Sequence, residues 1–265
     1  MILLALLLAV TSEIKVDLRL DNSDYVTGES VRCVVDIANS SPYEISVGEE
    51  RSKDVFFVEV FRMSDMKQLP RISKHPFVAD FKVFTGEGQK LETLLADHYP
   101  LSETSRYLAR PVLVHNGVRF EGSPRVFDIV EGVKVGGAMQ MFSGSKNLQR
   151  EFELVYWSRD KTEHLLLKAR DLGSSTRRWE TRDLGKMLRI DKPTISVLGS
   201  GEVVVLHRYD RDNFVRTELW SLPKALEVRR RELVQDPETA GTQRVRELYK
   251  DKGVAPKENP WWKFW

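Results

Sequence analysis

"IKVDLRL" at Ile14–Leu20 and "VRCVVDIAN" at Val31–Asn39 decide the fold class. In the first stretch Ile14, Val16, Leu18 and Leu20 point one way, and Lys15, Asp17 and Arg19 point the other. Val31, Cys33, Val35 and Ile37 repeat the pattern in the second. A period of two belongs to a strand with one buried and one solvated face. Turn formers in "DNSDYVTGES", Asp21–Ser30, separate the two runs. Further alternating runs follow in "YEISV" (Tyr43–Val47), "DVFFVEVFRM" (Asp54–Met63), "SRYLARPVLVHNGVRF" (Ser105–Phe120) and "SPRVFDIVEG" (Ser123–Gly132). Asn116-Gly117 breaks the third of these, and Asn-Gly between alternating runs predicts a tight hairpin. "FTGEGQKLE", Phe84–Glu92, reads as a loop. Short strands at this spacing predict an antiparallel sandwich over residues 13–131, with Cys33 as a small buried apolar residue.

The segments "YVTGESVRCVVDIANSSPYEISV" (Tyr25–Val47) and "DHYPLSETSRYLARPVL" (Asp97–Leu113) resemble bacterial immunoglobulin-like and macroglobulin-type modules. The resemblance covers roughly residues 14–130 and implies an Ig-like sandwich. It gives Tyr107 the position of a tyrosine that follows a corner and starts a strand. Ser105 stands where those modules usually have glycine. Such a fold hosts many activities and names none.

Residues 132–223 read as a second β-meander domain. "REFELVYWSRDKTEHLLLKARDLG" (Arg150–Gly173) and "GEVVVLHRYDRDNFVRTELWSLP" (Gly201–Pro223) each run strand, polar turn, strand. Setting Arg159-Asp160 on Arg211-Asp212 superposes their turns, with each unit expected to hold an outer pair of strands. The stretch "KPTISVLGSGEVVVLHR" (Lys192–Arg208) resembles a blade of sialidase-like, BNR-type propellers, with Gly201 in the tight turn. Two blades cannot close a propeller, so the sheets must pack on something else.

The bulk numbers narrow the function. Of 265 residues, 41 are basic and 39 acidic, a net charge of +2 that offers no general attraction for nucleic acid. His75, His98, His115, His164 and His207 show no zinc-ligand spacing, so neither metal nor cofactor is expected. "YDRDN", Tyr209–Asn213, lacks the glycine and distal glutamate of a calcium loop and reads as a polar turn. The arginines and tyrosines of a sialidase site are present but unassembled, so no catalytic residues are assigned. Tyr156, His207, Tyr209 and Arg211 are the candidates for a sugar- or peptide-binding groove on the repeats, with Trp157 and Trp220 expected in the core.

Both ends carry signals of their own. Residues 1–12 hold an uncharged apolar run, Ile2–Val10, too short to span a bilayer, followed by small polar residues. It reads as a secretory signal cleaved after Thr11 or Ser12, or alternatively as a buried first strand. With Cys33 the single cysteine, no intrachain disulfide forms, and export without disulfides points to a bacterial source. Residues 224–265 read as a helix over Pro237–Lys252, capped by Asp236 and stopped by Gly253, and an aromatic tail. That tail holds Trp261, Trp262, Phe264 and Trp265. These rings dock on the protein's own β-surface, enter a partner, or sit at a membrane interface. A single lysine among them, Lys263, disfavours the membrane. The expectation is a mainly β, non-catalytic, exported binding or envelope-assembly protein with a protein or glycan partner. The alternative is a carbohydrate-active or carbohydrate-binding protein of sialidase-like type.

Overall fold

The computed structural model describes residues 13–48, 52–142, 148–173, 179–199, 201–222 and 225–235. The signal-like run, the helix expected over Pro237–Lys252 and the aromatic tail therefore lie outside the described residues. The chain divides into two compact units, residues 1–132 with 178–181, and residues 133–177 with 182–265.

Among the described residues, the strand ladders of the first unit are antiparallel apart from one. Strand β1 (Ile14–Leu20), β3 (Arg32–Asn39) and β8 (Gly88–Leu94) form one sheet in the order β1-β3-β8. A second sheet runs β2 (Asp24–Val26), β11 (Arg125–Val130), β9 (Ser105–His115), β5 (Val55–Arg62), β6 (Lys67–Gln68), with β10 (Val118–Glu121) paired to β9. A short pair, β4 (Ile45–Val47) with β7 (Phe81–Val83), lies beside them, and among the described residues the unit's helix is the single turn α1 (Leu95–His98). The exception is β2, which runs parallel to β11.

The alternation read from the sequence sets the core. Leu18, Cys33, Val35 and Ile37 from one sheet pack with Val58, Val60, Tyr107 and Phe127 from the other. Burial pushes the Cys33 thiol up to about 12, so it stays an unreactive packing group. Tyr107 stacks on Phe127 at 5.5 Å, and its hydroxyl donates to the Glu103 carbonyl at 2.9 Å, tying the strand to the corner before it. Asn116 and Gly117 take φ of +50° and +78° and join β9 to β10, the double left-handed conformation that a two-residue hairpin needs. The loop expected at Phe84–Glu92 is half wrong. Gly86 turns the chain at φ +81°, but residues from Gly88 onward form β8, whose weak alternation hid it.

One buried carboxylate organises an end of this unit. Asp54 accepts from Ser46 N at 2.9 Å, His115 Nδ1 at 2.9 Å and Asn116 N at 3.3 Å. It ties β4, the start of β5 and the β9–β10 turn together.

The second unit is two four-stranded meanders, each in chain order. The first is β12 (Val133–Met141), β13 (Gln149–Arg159), β14 (Thr162–Asp171) and β15 (Glu180–Lys186); the second is β16 (Thr194–Val197), β17 (Glu202–Arg208), β18 (Asn213–Leu222) and β19 (Ala225–Gln235). Their inner faces share one core of Phe152, Leu154, Leu165, Leu167, Leu184, Val203, Val205 and Leu219. The two hairpins that superpose in sequence, β13–β14 and β17–β18, are the central pairs of their sheets rather than the outer pairs expected. Trp157 and Trp220 are a second correction. Alternation turns both away from this core: Trp220 neighbours inward Leu219, is half-buried, and has the Arg229 guanidinium 4.8 Å from its ring centre.

A buried charge staples the two sheets. Arg150 on β13 is forked onto Asp171 of β14 at 2.6 and 3.1 Å. The same guanidinium donates to Ser221 Oγ at 2.9 Å and Leu222 O at 3.0 Å on β18, and Ser221 Oγ donates to Gln140 of β12 at 2.5 Å. Its side chain is 4% exposed, so removing it leaves the half-buried Asp171 carboxylate and the buried Ser221 hydroxyl without their shared donor. Arg150→Ala should lower the stability of the second unit by about 3–5 kcal/mol. Arg150→Lys should recover only part of this, because an ammonium cannot reproduce the fork. Urea unfolding of the two variants checks both.

Candidate functional site

Strand β5 carries aromatic residues on both faces. Phe56, Val58 and Val60 point into the core, so Phe57, Glu59 and Phe61 point outward. Register places Phe57 opposite Val112, Glu59 opposite Arg110, and Phe61 opposite Leu108. Glu121 on β10 lies opposite Val112 and adds a second carboxylate to the same face.

The result is a closed ring of alternating charge on an aromatic floor. Glu59 accepts from Arg110 at 2.7 Å and from Arg119 at 2.9 Å. Glu121 accepts from Arg110 at 2.9 Å and from Arg119 at 2.5 Å. Arg110 lies 5.4 Å from the centre of the Phe61 ring, and Arg119 lies 5.7 Å from that of Phe57. Burial opposes the charge on Glu59, and hydrogen bonds from Arg119 and Arg110 outweigh it, so its carboxyl is held below the usual range. Beside the ring is a hollow of about 440 Å³ lined by Phe61, Met66, Leu108, Arg110, Ser123 and Pro124 among others. Met66 stands exposed at its edge. With both guanidiniums paired and stacked, the hollow offers apolar surface and flat, fixed guanidiniums more than free charge.

The residues singled out in the sequence lie at one end of the second unit. Tyr156 is half-buried against the core, and the Arg189 guanidinium covers its ring at 4.0 Å. Lys186 lies 5.6 Å from the ring centre of Tyr209. His207 faces the core, fully buried, with Nε2 3.2 Å from the Lys186 carbonyl. Three of the four thus meet the Lys186–Arg189 segment, without sharing an open groove. Arg211 is exposed on the β17–β18 turn, where its carbonyl accepts from Arg208 at 2.7 Å. Asp210 in that turn accepts from Asp212 N, Asn213 N and the Asn213 amide, the work of a turn-forming aspartate. Trp261, Trp262, Phe264 and Trp265 lie outside the described residues.

Two further histidines make local contacts. His164 meets Asp183 at 2.9 Å, and His98 stacks on Phe77 at 4.2 Å with Nε2 3.3 Å from Thr93 Oγ1. Among the described residues, no three His, Cys, Asp or Glu side chains gather as a metal site.

The charged ring was missed in the sequence. A signal for it exists: "VFFVEVF" at Val55–Phe61 is apolar at positions that simple alternation assigns to solvent. Arg110 and Arg119 lie far from it in sequence, and only the β5–β9–β10 register brings them there.

No family model matches the chain, and no curated protein matches it. Among solved structures it is similar to Spo0M, the sporulation control protein from Bacillus subtilis, at 12% identity and a TM-score of 0.29, over 90% of this chain and 97% of that one.

The buried His207 predicts a pH dependence. Burial is the main cause that lowers its pKa, from 6.5 to about 4. The unfolded chain therefore binds the proton more readily between those values, and stability falls as pH drops from about 6.5 towards 4. The full penalty is on the order of 3 kcal/mol. His207→Gln should flatten the decline over this window, as measured by urea unfolding at pH 7 and pH 4.5.

Proposed function

We propose that the protein is a non-catalytic binding or assembly protein, exported to the bacterial cell envelope, that contacts a protein partner through the outward face of β5, β9 and β10. The observation that carries this reading is the aromatic and arginine surface around Phe57, Phe61, Arg110 and Arg119, beside an apolar hollow. Aromatic residues and arginine are the types enriched where proteins bind one another. The ion-pair ring holds these side chains in place before a partner arrives, which reduces the entropy lost on binding. Export rests on the apolar run Ile2–Val10 and on a fold that needs no disulfide. A glycan partner stacking on Tyr156 or Tyr209 is supported less well, because Arg189 and Lys186 already lie against those rings.

Met66→Lys is the test of the contact surface. Met66 is 61% exposed, so the change removes no buried contact while adding a charge at the hollow. Protein beginning at Glu13, immobilised and passed over a native envelope fraction, should retain a partner that saturates. The variant should retain it at least tenfold more weakly, with an unchanged melting temperature. Equal retention by both would remove this face from the function. Native protein should fractionate outside the cytoplasm with Glu13 at or near its N-terminus, and an intact cytoplasmic Met1 would end the export reading.

A further inference from the structure

Strand β8 is the last strand of its sheet, in the order β1-β3-β8, and its far edge meets no strand among the described residues. Its seven residues pair one to one with β3, from Gly88 opposite Ala38 to Leu94 opposite Arg32, without a bulge. Among the described residues, no backbone hydrogen bond from any other segment reaches Gly88–Leu94. Gly88, Gln89, Lys90 and Glu92 are exposed. A hollow of about 730 Å³, lined by residues 92–94 and by residues 73 and 75–79, separates the end of this edge from the loop before β7. A bare edge offers a row of unpaired N–H and C=O groups to any extended chain. Proline and bulge, two devices that blunt such edges, are missing here, and Lys90 is offset by Glu92.

We propose that this edge pairs antiparallel with the same edge of a second copy of the chain, about a twofold axis at Leu91. Strand geometry restricts the choice of axis. A symmetric antiparallel pair joins residues of the same backbone orientation, so the axis falls on a residue. An axis at Lys90 or Glu92 would set that charge against itself, which is destabilising. An axis at Leu91 instead puts Lys90 opposite Glu92 on the outward face. On the inward face, where Leu91 lies across from core residue Val35, it sets Leu91 against Leu91 and Gln89 against Thr93. The charges on β3 extend the match. Asp36 stands across from Lys90 and is held by Arg19, and Glu92 is held by Arg32. The dimer therefore continues one row of alternating sign: Arg19, Asp36 and Lys90, then Glu92 and Arg32 of the second copy. Among the described residues Lys90 makes no ion pair within its own chain, so the second copy supplies its partner. Seven residues of strand are about 24 Å long and cover less than the roughly 1,200 Å² of a stable complex. The dimer is accordingly reversible and depends on concentration.

Sedimentation of the full chain over a range of concentrations is the test. The unmodified protein should dimerise reversibly. Lys90→Glu and Glu92→Lys should each weaken the dimer at least tenfold, because each homodimer then holds two like-charged pairs. Mixing the two variants should restore it, because both contacts of the mixed pair join opposite charges. A monomer at every concentration, a dimer indifferent to both substitutions, or a mixture no tighter than either variant alone overturns the proposal. Hydrogen exchange of the unmodified chain answers without any substitution. Amides of Gly88–Leu94 should exchange severalfold more slowly as concentration rises, while those of β10 stay constant. Unchanged exchange at Gly88–Leu94 overturns it equally.

Discussion

Successive side chains of a strand point to opposite sides, and the described residues are mainly strand. Half of those side chains therefore fall outside the two cores, and the molecule's surface chemistry follows from how each outward face is treated. On β5, β9 and β10 the answer is two arginines, two carboxylates and two phenylalanines in mutual contact. On β17–β19 it is again arginine on aromatic rings, Arg208 over Phe214 and Arg229 over Trp220, with Arg216 and Arg230 paired to Glu232. Exposed pairs of this kind contribute little individually. Their value lies in keeping large rings at the surface flat, shielded and in one orientation.

The buried polar groups do a different task. Asp54 and Arg150 each sit where separate pieces of backbone must end together, and each is surrounded by donors or acceptors from those pieces. A well-packed apolar replacement could match such a cluster in stability. What an apolar contact lacks is direction. Arg150 satisfies its donors only when β13, β14 and the end of β18 are in register, so it selects one stacking of two otherwise similar meanders.

Local pattern made much of the fold legible. The alternation of Ile14–Leu20 and Val31–Asn39, the Asn116-Gly117 hairpin and the burial of Cys33 all depend on neighbours in sequence, and all are present. The failures share a cause as well. Trp157 and Trp220 are expected in the core, with Tyr156 on the groove side, and the alternation is right but its phase is opposite: Tyr156 and Leu219 pack inward and the two tryptophans face out. Strand β8 begins with glycine and two polar residues because it lies mostly on an exposed edge, so it lacks an apolar rhythm. The charged ring joins Glu59 to Arg119 across sixty positions, and no local rule reaches that far. The four candidate binding residues were chosen by type and proximity in the repeats, whereas His207 is inward because it follows Val203 and Val205 in phase.

Sheet edges bear on how such a protein can meet others. An open edge invites any extended chain to add a strand, and here several edges are closed by specific contacts. Thr181 donates from its amide to Gly28 O at 2.9 Å and from its hydroxyl to Thr27 O at 2.7 Å, beyond the end of β2. Gly28 must be glycine for this: its φ is +86°, and a Cβ there would lie 2.5 Å from the Trp179 carbonyl oxygen. Along β1, Arg125 donates to the Leu18 carbonyl at 2.7 Å and Gly122 lies close against Val16. Strand β19 has consecutive Arg229, Arg230 and Arg231, and its register shifts opposite Glu218 and Leu219. A bulged, strongly basic edge is a poor template for another strand. An edge occupied or charged in this way is a poor site for backbone pairing. The contact proposed for β5, β9 and β10 is of the other kind, side-chain recognition on a face, and the paired arginines and the phenylalanines beneath them present that face in one fixed arrangement.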